Sequence, residues 1–153
     1  MKILIIGAVG AGKTTLGKQL SKKYNIKHYE IDSIVHDDNK GGRKRSEEEQ
    51  NRIIDQIDEG KDWIIEGTLR KNLYYLLEIA EKIIYIEVGK RTRNIRILIR
   101  YMKQKLGIEN ANYKPTIKML KNMYKWSKEH ENNKYELEEC LNKYKEKLEI
   151  IKK

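Results

Sequence analysis

The chain has 153 residues with one cysteine and one proline, the size of a single domain that can bury a core without cross-links. A lone Cys140 excludes an internal disulfide framework and suits a reducing compartment. The net charge of +10 is unevenly placed: residues 89–128 hold twelve Lys and Arg against the single acid Glu109, and the rest of the chain holds 21 basic and 22 acidic residues.

The opening MKILIIG is too short for a leader or a membrane span, and no later run is long enough. A cytoplasmic protein with no membrane partner is therefore expected. Lys2–Ile6 is an apolar, β-branched run and reads as a buried strand. Gly7–Gly12 is a glycine-rich turn. Lys13–Tyr24 reads as a helix with Leu16 and Leu20 on one face, and Lys27–Ile31 as a second strand. Residues 33–45 are polar, contain Gly41–Gly42 and read as a loop. Ser46 and Glu49 form a capping box, opening a helix with Ile53, Ile54 and Ile57 that ends near Gly60. A third strand is expected at Asp62–Ile65, a short helix at Leu73–Ala80 and a fourth strand at Lys82–Val88.

Thr92–Leu106 reads as an amphipathic helix. Ile95, Leu98, Ile99, Met102 and Leu106 line one face, and Arg93, Arg96, Arg100 and Lys103 the other. Pro115 suits the first turn of another helix, along which Lys114, Lys118, Lys121, Lys125 and Lys128 make a stripe. Residues 134–145 read as helix and Glu146–Ile151 as a fifth strand. Strands alternating with helices predict one α/β domain over 1–153, with a mostly parallel sheet of about five strands flanked by helices. Ligands of such sheets sit at the carboxyl ends of the strands. The basic segment, about 89–130, is expected to form a helical lid.

Gly7-Ala8-Val9-Gly10-Ala11-Gly12-Lys13-Thr14 fits G-x-x-x-x-G-K-[ST], the P-loop pattern. Glycines let the backbone wrap round phosphates with its N–H groups inward, and the following helix offers its positive end. Gly7, Gly10, Ala11, Gly12, Lys13, Thr14 and Thr15 are the expected nucleotide-binding residues. Lys13 would reach the β- and γ-phosphates and Thr14 would give its hydroxyl to Mg²⁺. ATP and Mg²⁺ are the expected cofactors.

Trp63-Ile64-Ile65-Glu66-Gly67-Thr68-Leu69-Arg70 is the second informative stretch. Glu66, at the end of a buried strand, can hold Mg²⁺ or its water. Gly67 would let a substrate come close, and Arg70 can grip a phosphate with two parallel hydrogen bonds. With these residues the chain resembles the nucleoside-monophosphate kinase group, Glu66-Gly67-x-x-Arg70 looking like that group's Asp-Gly-x-x-Arg. More narrowly it resembles the adenylate-kinase-like putative DNA topology modulation proteins, through the P-loop, Tyr29-Glu30-Ile31-Asp32, Trp63-Ile64-Ile65-Glu66-Gly67 and the Arg-rich helix after strand four. The resemblance implies a P-loop NTPase fold and a phosphotransferase.

Asp32, just after a strand, is the residue expected to orient or deprotonate an acceptor hydroxyl, and it joins Thr14 and Glu66 in the expected metal set. At least one of Arg91, Arg93, Arg96 and Arg100 is expected to close over the transferring phosphate. Arg43 and Arg45 are candidates for an acceptor phosphate. His28, His36 and His130 show no metal-ligand spacing, and Cys140 reads as core. The expected partners are ATP and a small-molecule phosphoryl acceptor. The rival is a nucleotide-dependent nucleic-acid binder, with Tyr113, Tyr124 and Trp126 interleaved among the lysines. A guanine-reading Asn-Lys-x-Asp is absent; Asp38-x-x-Gly41 has a switch spacing but lies in a polar loop.

Overall fold

The computed structural model describes residues 1–37, 42–110 and 114–153. Asp38, Gly41 and Tyr113, singled out above, lie outside the described residues. In chain order the elements are β1 (Lys2–Gly7), α1 (Lys13–Tyr24), β2 (His28–Glu30), α2 (Ile31–Val35), β3 (His36–Asp37), β4 (Arg43–Lys44), α3 (Glu47–Glu59), β5 (Trp63–Gly67), α4 (Leu76–Ile79), β6 (Lys82–Glu87), α5 (Lys90–Lys105), α6 (Ile117–Asn132), α7 (Lys134–Asn142) and β7 (Leu148–Lys152).

Five strands form one sheet in the order β2-β5-β1-β6-β7. Every neighbouring pair in it is parallel. This is the expected α/β architecture. The central β1 and β5 are buried along most of their length, as continuous apolar runs covered on both faces must be. One core forms around Leu4, Ile6, Trp63, Ile65, Ile83 and Tyr85, packed by residues of α2, α3, α4 and α7. The other forms around Ile3, Ile5, Ile64, Ile84 and Ile86, with Leu16 and Leu20 of α1 against it. The alternation of strand side chains between these cores follows from the two-residue period of a strand.

The capping box at Ser46 is complete: the Ser46 hydroxyl accepts from the Glu49 N–H, and the Glu49 carboxylate accepts from the Ser46 N–H at 2.8 Å. Cys140 packs, half-buried, against the first core. Two expectations differ. The segment 33–45, expected as a loop, contains α2 and the antiparallel β3–β4 pair. Ile31, Ile34 and Val35 are buried at helical spacing, and Arg45 stitches the turn by donating to the Ser33, Ile34 and His36 carbonyls. Pro115 precedes a helix instead of entering it, since Thr116 caps α6 by accepting from the Met119 N–H at 3.2 Å. The apolar stripe of α5 faces outward: its buried residues are Arg93, Ile97, Tyr101 and Gln104.

Candidate functional site

The turn between β1 and α1 can only be made by its glycines. Gly10 and Gly12 have φ of 77° and 95°, a left-handed region that costs side-chain-bearing residues strain. A Cβ on Gly10 would also stand 3.1 Å from the Arg93 carbonyl oxygen and 3.2 Å from the Ile97 side chain. α5 is thus seated directly on the P-loop. Gly7 closes β1 and Ala11 is buried in the second core; Thr15 is exposed on the first turn of α1.

Lys13 is buried, and its ammonium donates to the Ala8 carbonyl at 2.9 Å. Burial pulls its pKa below the usual lysine value, opposed by the negative charges of Glu66 and Asp32. Arg100 acts on the same ammonium with opposite effect, so a residue of α5 is felt inside the cradle. Thr14 Oγ1 donates to Glu66 Oε1 at 2.6 Å. Glu66 is buried, and burial pushes its carboxyl above the ordinary range, against the pull of Lys13 and the Thr14 hydrogen bond. The hydroxyl and carboxylate are both hard oxygen donors, held side by side at the start of α1 and the end of β5. That donor set fits Mg²⁺, which takes oxygen ligands and keeps much of its shell in water and substrate phosphate.

The neighbouring strand end supplies the second half of the site. Arg70 lies 3.3 Å from Asp32 Oδ1. The pairing depends on Gly67. A Cβ there would meet the Ile31 Cβ at 2.6 Å, so glycine lets α2 pack on the end of β5 and carries Asp32 towards Arg70. The expectation that Gly67 makes room for a substrate is corrected: the space is filled by Ile31.

The arginines of α5 separate into different roles. Arg93 is buried and fully engaged. Its guanidinium donates to the Val88 carbonyl at 2.7 Å, the Ser127 hydroxyl at 3.3 Å, the Ser127 carbonyl at 3.1 Å and Glu131 at 2.7 Å. Arg93 pins α6 to the end of β6, with its guanidinium taken up by protein acceptors. Arg96 reaches the P-loop itself, donating to the Ala11 carbonyl at 3.4 Å. Arg100 lies 3.5 Å from Glu109. Arg91 is exposed. Arg43 pairs with Glu49 at 2.8 Å, and Arg45 is taken up by the α2 carbonyls and by Asp37 at 3.4 Å.

Sequence reasoning passed over His28. Its Nε2 lies 3.9 Å from Glu66 Oε1. A Cβ on Gly17 would stand 2.6 Å from that nitrogen. Burial lowers its pKa below the ordinary histidine value, against the pull of Glu30. The signal was a glycine inside α1, a helix-weakening residue that needs a packing reason.

The family model described as AAA domain matches residues 3–115. Among solved structures the chain is similar to a shikimate kinase from Bacteroides thetaiotaomicron, at 15% identity and a TM-score of 0.53, over 85% of this chain and 79% of that one. It is also similar to a shikimate kinase from Acinetobacter baumannii in complex with shikimate, at 15% identity and a TM-score of 0.51, over 80% and 73% of the two chains. No curated protein matches. At these identities the structures speak for the fold alone, which this chain shares with them. With its family model covering most of the chain, from the first strand past the end of α5, the protein belongs to the AAA domain family.

Proposed function

We propose that the chain is a small kinase that transfers the γ-phosphate of ATP to a small nucleotide, nucleoside or other hydroxyl-bearing acceptor. The observation that carries this reading is the Asp32–Arg70 pair, 3.3 Å apart, beside the Lys13–Thr14–Glu66 cradle. A P-loop alone binds nucleotide; a carboxylate and a guanidinium at the next strand end add the means to hold and activate an acceptor.

In this proposal Lys13 exchanges the Ala8 carbonyl for the β- and γ-phosphates. Thr14 and Glu66 are the residues that would hold Mg²⁺, which when bound would supply charge neutralisation for the transfer. Asp32 accepts the acceptor's hydroxyl proton as the new O–P bond forms and the bond from the γ-phosphorus to the β–γ bridging oxygen breaks. Arg70 orients the acceptor, and Arg96 and Arg100, carried on α5, face the transferring group. Preorganised cations of this kind stabilise the charge that develops in transfer.

The test is ADP production from Mg-ATP by wild type, Lys13→Ala and Asp32→Asn, over nucleosides, nucleoside monophosphates, hydroxyl metabolites and nucleic-acid ends. The expected result is a rise with one acceptor class, absent in Lys13→Ala and reduced by about a hundredfold in Asp32→Asn. No acceptor-dependent rise in the wild type would overturn the reading.

A second reading, a nucleotide-dependent nucleic-acid binder akin to the topology modulation proteins, is favoured by the exposed Lys118, Lys121, Lys125 and Lys128 along α6. It requires duplex binding that weakens steeply with salt. A protein that does not bind DNA at low salt excludes it.

A further inference from the structure

The outward face of α5 has no role in the site above. Ile95, Leu98, Ile99, Met102 and Leu106 are each between 45% and 68% exposed. At about 100° per residue these five fall within an arc of roughly 100°, and the stripe is about 17 Å long. The opposite side of the helix, with Arg93, Ile97 and Tyr101, is buried. Ile108, just past the helix, is also strongly exposed. An arc of that width is what a helix normally turns to a core; here it is turned to water.

The surroundings are basic. Arg91, Lys103 and Lys105 are exposed on the same helix, and no Asp or Glu occurs from residue 90 to residue 108. The next helix adds four exposed lysines, Lys118, Lys121, Lys125 and Lys128. The partner must therefore be both apolar and anionic. A second copy of this chain would bring basic flank against basic flank. A nucleic acid would satisfy the cations and leave five aliphatic side chains in water. A bilayer with anionic headgroups meets both requirements over an extended area: aliphatic side chains enter the acyl boundary, lysine stems reach back to the headgroups, and each cation near the surface adds to the attraction.

We propose that the outer face of α5 docks the protein on the surface of an anionic lipid bilayer. The helix lies on the membrane and does not span it, as fits the absence, among the described residues, of any helix long and apolar enough to cross one; the proposal departs from the expectation of no membrane partner, which rested on the lack of a spanning run. The inference is independent of the kinase reading, since none of the stripe residues belongs to the cradle.

The experiment is flotation of the full-length protein with phosphatidylcholine vesicles, with and without phosphatidylglycerol. The variant is Leu98→Ser/Met102→Ser, both exposed positions whose replacement leaves the core intact; its thermal melt and ATP binding serve as folding controls. The wild type is expected to float with the anionic vesicles and not with the zwitterionic ones. The variant should bind the anionic vesicles at least about tenfold more weakly, from the lost apolar transfer. Three outcomes would overturn the proposal. The wild type could stay in solution with anionic vesicles. The variant could float as well as the wild type, which would leave only a general attraction of cations to polyanions. Or the two serines could convert a dimer to a monomer, which would assign the stripe to a second copy of the chain.

Discussion

Lys13 holds an ammonium inside the protein on one backbone carbonyl, 2.9 Å from the Ala8 oxygen. A buried charge is costly to keep, so its retention points to a ligand and not to stability. Lys13→Met should lower ATP affinity by about a hundredfold, which titration calorimetry measures. An unchanged affinity would take Lys13 out of the nucleotide site. Glu66→Gln keeps an acceptor for Thr14 and removes the charge. It should raise the Mg²⁺ concentration needed for ATP binding by about tenfold, and an unchanged Mg²⁺ dependence would take Glu66 out of the metal set. His130 offers a pH test. Burial, with Arg93 nearby, lowers its pKa from 6.5 to about 4, and its Nε2 lies 3.4 Å from the Tyr85 hydroxyl. The unfolded chain therefore takes up the proton first as pH falls. Stability attributable to His130 is complete above pH 6.5 and is lost towards pH 4, by an amount on the order of 2 kcal/mol after solvent screening of the partly exposed ring is allowed for. Denaturant melts of His130→Gln should show a flatter pH slope across that window, and parallel slopes would contradict the assignment.

Elements are held by single residues whose importance shows only in three dimensions. Arg93 joins α5, β6 and α6, and its partners Ser127 and Glu131 are 34 and 38 residues away in the chain. In the sequence it was one arginine among several at helical spacing, and only the packing of α6 shows it as a structural residue. Arg93→Met should cost about 3 kcal/mol, because it leaves buried acceptors unpaired, and should raise hydrogen exchange in α6; an unchanged denaturation midpoint would refute this. Gly67→Ala should clash with Ile31, cost roughly 1–3 kcal/mol and shift Asp32 from Arg70, weakening acceptor use more than ATP binding. By contrast the start of α3 was legible, because Ser46 and Glu49 satisfy each other within four residues. α2 was missed although Ile31, Ile34 and Val35 carry helical spacing; five residues are too few to stand out beside a polar run. The facing of α5 was illegible for a different reason: its apolar stripe is real, and what covers it is not in the described chain.

On the scale of the whole molecule, the parallel sheet makes the site. With β1 central and β5 and β2 beside it, the carboxyl ends of three strands bring Thr14, Glu66 and Asp32 together from distant parts of the chain. The alternation of strands and helices was enough to read this, because ligands of such sheets gather at those ends. The acceptor itself was not legible, because a carboxylate at Asp32 and a guanidinium at Arg70 do not specify what is held between them. The most direct test of the account is to follow the γ-phosphate. ATP labelled in that phosphate, incubated with wild-type protein, Mg²⁺ and the acceptor panel, should yield label in an organic phosphate ester or a nucleoside diphosphate, with none formed by Lys13→Ala. Label appearing only as inorganic phosphate, whatever acceptor is offered, would contradict the kinase assignment.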